Sequence, residues 1–180
     1  MAASATGSVK ITVTGELKNT LTDTQVVTTT VGTNPSINLT SGTGALMFNR
    51  GWQSKNRALV SAATLSVDMY DLGALDLGTG AGEDALGLAL ACSAVVCLCV
   101  ENLSTSAGTL LVGGEGSAAA WNSIFNGVDT AKLSLPPNSG VCIWAVGATA
   151  FPVADTSNHL LKFEASGGDC SYNITVLCRA

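Results

Sequence analysis

Apolar and polar residues alternate along much of this chain with the two-residue period of half-buried β-strands. The alternation is clearest in residues 8–16, 65–70 and 172–178. Residues typical of turns, chiefly Gly, Pro, Asn and Ser, separate such segments at intervals of roughly 8–14 residues. No amphipathic helical pattern is longer than about ten residues. The pattern therefore predicts about 8–10 short strands and no long helix.

The longest apolar run, residues 86–100, is expected to lie at the centre of the fold. It contains no charge and no Pro, and it is shorter than the roughly 20 residues that a membrane-spanning helix needs. Residues 94–100 are rich in β-branched and Cys residues, which favours a strand buried on both faces. Residues 86–91 are rich in Leu and Ala, and a short helical turn is the alternative there. The polar residues 101–104 are expected to end the strand.

Residues 45–57 show no periodicity and are predicted to be a connecting segment. The segment concentrates large apolar side chains and three of the eight basic residues of the chain. We expect it to form a contact between chains, in which the apolar side chains pack and two arginines serve as charged anchors. The predicted contact residues are Leu46, Met47, Phe48, Arg50, Trp52 and Arg57.

Together these patterns predict an all-β protein, a single β-sandwich or jelly roll with an N-terminal extension. A chain of 180 residues fits one domain of this kind. Residues 1–57 are assigned to N-terminal strands and an arm-like segment, and residues 58–180 to the sandwich body. The best candidate for a helix or turn is residues 117–126, because Trp121 and Phe125 lie four residues apart.

The composition indicates a surface that is partly covered by other chains. Only 12% of the residues are charged, against a typical value of about 25%, whereas 47% are hydrophobic. Twenty-one charges cover a monomer of this size thinly, so we expect contacts with partners, including copies of the same chain. The basic residues are spread singly and the net charge is −5, which argues against nucleic acid as a partner. No membrane partner is expected either.

Six cysteines occur without a C-x-x-C pair and with one histidine, His159, so a zinc site is not expected. The first ten residues lack the apolar core of a signal peptide. The favoured interpretation is six buried, unpaired thiols. The alternative is one disulfide that involves Cys170 or Cys178. Cys97 and Cys99 share one face of a strand, which points them in the same direction.

No group of residues spells out a catalytic site. The glycine-rich residues 73–84 suggest a phosphate loop, but Glu83 and Asp84 would repel phosphate. Two carboxylate pairs, Glu83 with Asp84 and Asp71 with Asp76, could serve a weak calcium site or acid–base chemistry, although solvated loop charges are the favoured interpretation. The one histidine has no G-x-S-x-G nucleophile motif to serve. We therefore predict no enzyme activity and no cofactor.

Tryptophan could supply a platform for stacking a sugar ring or a partner side chain. Trp144 lies inside an apolar segment and is predicted to belong to the core. Trp52 and Trp121 lie in irregular segments, and we expect these two to be available for surface contacts.

Several short strings at the ends of predicted strands resemble those of capsid decoration, or cement, proteins of tailed bacteriophage virions. The strings are Asp68-x-x-Asp71-Leu72, Val100-Glu-Asn-Leu-Ser104 leading to Val112-Gly-Gly114, and Leu133-x-Leu135-Pro-Pro-x-x-Gly140. The resemblance covers residues 58–178 and implies a homotrimeric jelly roll. Such a protein binds the major capsid protein on the outside of an icosahedral shell, is made in the host cytoplasm, and has no catalytic residues. Its N-terminal arm would correspond to residues 1–57.

A receptor-binding module is the alternative function. A tail-fibre tip or lectin-like β-sandwich would bind a surface glycan through loops 71–84 and 113–130, with calcium as a possible requirement.

Overall fold

In the computed structural model, the described residues are 7–10, 13–22, 25–33, 36–72, 91–103 and 105–180, with side chains described from residue 37 onward. They form fourteen β-strands and contain no α-helix. The strands are β1 (Gly7–Lys10), β2 (Val13–Thr22), β3 (Gln25–Thr33), β4 (Ser36–Ser41), β5 (Met47–Phe48), β6 (Arg50–Leu59), β7 (Thr64–Asp68), β8 (Ala94–Asn102), β9 (Thr109–Gly113), β10 (Lys132–Leu135), β11 (Ser139–Trp144), β12 (Phe151–Pro152), β13 (Leu160–Ser166) and β14 (Cys170–Arg179).

Two antiparallel sheets form the body of the protein. The five-stranded sheet has the order β11-β8-β14-β6, with β12 also paired to β8, and the four-stranded sheet has the order β10-β9-β13-β7. Apolar side chains of both sheets meet in one core, where the rings of Phe163 and Tyr172 stack with centroids 5.3 Å apart. The protein is thus an all-β sandwich, as predicted. The jelly-roll connectivity stays a prediction.

The central strands have the predicted positions because their sequences suit them. In β14, every second residue from Cys170 to Cys178 is buried, which places one face of this strand in the core. Strand β8 lies between β11 and β14 and is buried on both faces over most of its length. It runs from Ala94 to Asn102, which confirms a strand in the second half of the apolar run and extends it two residues into the predicted polar stop, whereas residues 91–93 of the run lie before the strand. Residues 86–90 of the apolar run lie outside the described residues.

A smaller second core covers part of the outer face of the five-stranded sheet. Strand β4 pairs antiparallel with β1 and parallel with β5, forming a three-stranded sheet. Leu39 of β4 and Phe48 of β5 pack on Val96 and Cys97 of β8. This second core explains why β8 needs apolar residues on both faces.

The predicted connection at residues 45–57 is wrong, because most of it forms β5 and β6. Strand β6 pairs with β14 from Arg50 opposite Cys178 to Leu59 opposite Cys170. The pairing shifts register in the middle, where Asn56 has a φ of 54°. A bulge of this kind breaks the two-residue alternation, and the polar residues on both sides of it obscure the strand further. The predicted boundary between arm and body at residue 57 therefore falls inside β6.

Two further segments differ from their predicted form. Residues 8–16 were expected to be one strand, but β1 and β2 belong to different sheets, and residues 11 and 12 lie outside the described residues. Strand β2 pairs with β3 and with no other described strand. Residues 117–126 contain successive turns, the second of the two predicted alternatives.

Candidate functional site

A groove with a volume of about 870 Å³ lies on the part of the five-stranded sheet that the second core leaves open. Two rows of residues, each running across neighbouring strands, form its floor. The first row runs from Cys142 through Cys99 and Thr175 to Gln53, and the second runs from Gly140 through Glu101 to Asn173. Because outward side chains of neighbouring strands stand side by side, the groove presents polar groups of four strands together.

Hydrogen bonds orient the polar side chains of the groove. Asn173 Nδ2 donates to Glu101 Oε2 at 2.8 Å, and Gln53 Nε2 donates to Thr175 Oγ1 at 3.0 Å. At Gly140, a Cβ atom would lie 2.9 Å from the carbonyl oxygen of Val100, so any larger residue would require the backbone to shift there. Amide, hydroxyl and carboxylate groups in such a row can bind the hydroxyl groups of a polar ligand.

Three sulfur atoms meet at the border between this groove and the second core. The Sγ atom of Cys97 lies 3.7 Å from that of Cys99 and 3.6 Å from that of Cys142. Cys99 and Cys142 are opposite each other on β8 and β11 and form a disulfide. Burial raises the pKa of the Cys97 thiol to about 11, so this thiol is protonated at neutral pH.

The favoured interpretation of six unpaired thiols is wrong for four of the cysteines. A second disulfide joins Cys92 and Cys178, so the alternative of a bridge at Cys178 is confirmed. Cys170 is buried and unpaired, like Cys97. The shared face of Cys97 and Cys99 is also confirmed, since their sulfur atoms lie side by side. The sequence pattern does not reveal that Cys142 on the neighbouring strand β11 is the disulfide partner of Cys99.

An apolar cleft of about 300 Å³ opens between the edges of β10 and β11, where the two sheets of the sandwich end. Half-buried side chains from both edges and from the turn segment line it, among them Ile124, Phe125, Leu133 and Ile143. Lys132 stands at the cleft and forms an ion pair with Glu164 at 2.7 Å. The hydrogen bond from Lys132 lowers the pKa of the Glu164 carboxyl below its ordinary value.

The six predicted contact residues do not form one exposed patch. The side chains of Phe48 and Trp52 are 6% and 5% exposed and pack in the cores of their own chain. Leu46 is 49% exposed, whereas Met47, Arg50 and Arg57 are half-buried. A role for these residues in a contact between chains stays a prediction, and in this structure Leu46 offers the largest free apolar surface of the six.

The expectation that Trp52 and Trp121 lie at the surface is wrong. Trp121 is 1% exposed, and its Nε1 donates a hydrogen bond to the carbonyl oxygen of Pro152 at 2.9 Å. Trp144, predicted to be core, is half-buried against the second core. Trp52 lies in strand β6 and Trp121 in a turn segment, and neither stretch of sequence has the periodicity that would reveal the burial of its tryptophan.

The sequence pattern does not predict two polar residues that are buried and hold parts of the fold together, Asn102 and Arg179. Asn102 is fully buried and donates through Nδ2 to the carbonyl oxygens of Gly108 and Leu135, which links the two sheets. Arg179 is 2% exposed and donates to three carbonyl oxygens. The only sign of these two residues in the sequence is that each is a polar residue at the end of an apolar strand.

The structure assigns no catalytic or ion-binding site to the other candidate residues, His159 and the acidic residues of loop 71–84, as far as they are described. His159 is half-buried, and its Nδ1 atom has no hydrogen-bond partner among the described residues. Asp71 is exposed, and Asp76, Glu83 and Asp84 lie outside the described residues. The suggested phosphate and calcium sites therefore stay untested.

Comparison of the sequence with models of known protein families and with curated proteins found no match. In the part of the chain that the structure describes, no helix is long and apolar enough to cross a membrane.

Proposed function

We propose that this chain is a structural protein of a virus particle, a homotrimer that decorates and stabilises an icosahedral bacteriophage capsid. Its partners are two further copies of itself and the major capsid protein, and its place is the outer surface of the shell. The proposal starts from the resemblance of residues 58–178 to capsid decoration proteins. The observation that carries it furthest is the apolar cleft between β10 and β11.

The cleft supports assembly of several chains because it leaves apolar side chains only half-buried at the edge of the sandwich. Ile143 and Leu133 project from the last strand of each sheet, next to Phe125 of the turn segment. Strands at sheet edges also carry backbone groups that a neighbouring chain can pair with. A subunit contact along this edge would cover the apolar side chains and the strand edges together.

The N-terminal strands support the same proposal. Strands β2 and β3 form a two-stranded sheet of their own among the described residues. An isolated two-stranded sheet is marginally stable in water, so contact with a neighbouring subunit would stabilise it. This corresponds to the arm that the resemblance assigns to residues 1–57.

The two disulfides are compatible with a place on a particle surface, because disulfides persist on virions and are rare in the cytosol. A chain made in a host cytoplasm would then form them after it leaves the reducing cytosol.

The experiment that tests the proposal is immunogold electron microscopy of virus particles from the source of this sequence, with an antibody against the chain. The expected result is gold label spread over the outside of the capsid. Label confined to the tail, or particles without label, would overturn the proposal.

A glycan-binding module is the second candidate, and the polar groove favours it. Its oriented amide and hydroxyl groups suit the hydroxyl groups of a sugar. The test is a glycan array probed with the wild-type chain and with Gln53→Ala, with and without calcium. Saturable binding that Gln53→Ala weakens would support this function, and a flat array under both conditions would exclude it.

A further inference from the structure

We infer that Cys97, Cys99 and Cys142 form a binding site for one thiophilic metal cation, of the Zn²⁺ or Cu⁺ class, which becomes available when the Cys99–Cys142 disulfide is reduced. This inference is independent of the proposed function. It rests on the placement of three sulfur atoms within 4.8 Å of one another.

The backbone places the three cysteines together without any rearrangement of the sheet. Cys97 and Cys99 lie two residues apart on β8 and therefore project from the same face. Cys142 lies opposite Cys99 on the neighbouring strand β11, with Cα atoms 4.1 Å apart. The hydrogen-bonded pairing of the central strand β8 with the edge strand β11 holds these positions more firmly than a loop would.

The distances fit tetrahedral coordination. A metal–sulfur distance of about 2.3 Å at a tetrahedral centre places neighbouring sulfur atoms about 3.8 Å apart. Cys97 Sγ already lies 3.7 Å from Cys99 Sγ and 3.6 Å from Cys142 Sγ. Only the bonded pair, Cys99 and Cys142, has to move apart, and this requires reduction of their disulfide.

The metal site forms in two chemically balanced steps, reduction of the Cys99–Cys142 disulfide and binding of the cation. A dithiol transfers two electrons and two protons to the Cys99–Cys142 disulfide, which gives two thiols while the dithiol becomes a cyclic disulfide. A cation then binds the three sulfur atoms as thiolates, and three protons leave to solvent. Thiolate ligands select Cu⁺ and Zn²⁺ over harder cations such as Mg²⁺ and Ca²⁺.

The surroundings of the cluster give it one closed side and one open side. Cys97 packs in the second core with Leu39 and Phe48, which shields the cluster from water on that side. Cys99 and Cys142 line the polar groove, which gives a reductant and a cation a path of entry. A fourth ligand, either water or a small thiol, can occupy the groove side.

The test is Co²⁺ titration of the full chain after reduction with a phosphine, which becomes phosphine oxide with oxygen from water and, unlike a dithiol, brings no thiolate ligand of its own. Tetrahedral Co²⁺ with thiolate ligands gives visible d–d bands and near-ultraviolet charge-transfer bands. The expected result is one Co²⁺ per reduced chain and no such bands in the oxidised chain.

Variants identify the ligands. Cys97→Ser and Cys142→Ser are expected to abolish the bands. Cys170→Ser, which removes the other buried free thiol, and Cys92→Ser, which removes a thiol of the second disulfide, are expected to retain them. Circular dichroism and the thermal midpoint establish that each variant is folded, and Co²⁺ is expected to raise the midpoint of the reduced wild type but not of Cys97→Ser.

Three results would each overturn the inference. They are the absence of thiolate bands in the reduced, folded wild type, unchanged bands in Cys97→Ser or Cys142→Ser, and equal Co²⁺ binding by the oxidised chain.

Discussion

Arg179 brings a positive charge into the protein interior at the point where β14 meets β5. Its Nε donates to the carbonyl oxygen of Met47 at 2.9 Å, and Nη1 donates to those of Gly147 and Ala148 at 2.9 and 2.7 Å. Burial lowers the pKa of its guanidinium. The Arg179 side chain thus joins β14 of the sandwich to β5 of the three-stranded sheet, and it donates hydrogen bonds to three carbonyl groups.

We expect Arg179→Met to lower the free energy of unfolding by about 2–4 kcal/mol, because it removes three hydrogen bonds that contribute about 0.5–1.5 kcal/mol each. Arg179→Lys should lose less, since an ammonium group retains one or two of the hydrogen bonds. Urea denaturation of the oxidised protein measures both values.

The matched control is Lys55→Met, which removes an exposed positive charge on the neighbouring strand β6. This variant should stay within about 0.5 kcal/mol of the wild type. An Arg179→Met protein as stable as Lys55→Met would show that the hydrogen bonds of Arg179 contribute little.

Single strands differ in how far their sequences reveal them. The alternation in residues 172–178 predicts β14, because one face of that strand packs uniformly in the core. The run from Ala94 to Val100 predicts β8 for a similar reason. Strand β6 is not predictable in this way, since a bulge near Asn56 and a polar inward residue, Ser54, interrupt the pattern.

The thiol cluster and the groove depend on pairing between distant segments. Cys99 and Cys142 are 43 residues apart, and only the register of β8 against β11 brings them opposite each other. A one-residue change of register would turn Cys142 to the other face of the sheet. Sequence alternation identifies a strand and its faces, but it does not specify which strand lies beside it, so the partner of Cys178 and the Cys99–Cys142 disulfide could not be predicted.

The edge strands β10 and β11 give the assembly proposal a direct test. Ile143→Asp places a carboxylate in the apolar cleft, where a subunit contact would bury it without a partner. We expect this variant to dissociate the proposed trimer while the folded monomer persists, as measured by sedimentation velocity together with circular dichroism.

Val60→Asp is the control for the cleft variant, because Val60 is 65% exposed and does not line the cleft. It should leave the assembly intact. A folded Ile143→Asp protein with the same oligomeric state as the wild type would exclude the cleft as a subunit contact.

At the scale of the whole molecule, the chain combines a sandwich core with a thinly charged surface. Eight basic and thirteen acidic residues are distributed over 180 positions. Such a composition is costly for a protein that stays alone in water and is favourable for one that buries its edges against copies of itself. Assembly into a trimer is therefore the central claim about this protein.

Light scattering of the purified, oxidised chain after size-exclusion chromatography tests that claim most directly. The expected result is a stable species of about 54 kDa, three times the 18.1 kDa mass of the chain. A single species at 18.1 kDa at every concentration measured would contradict it.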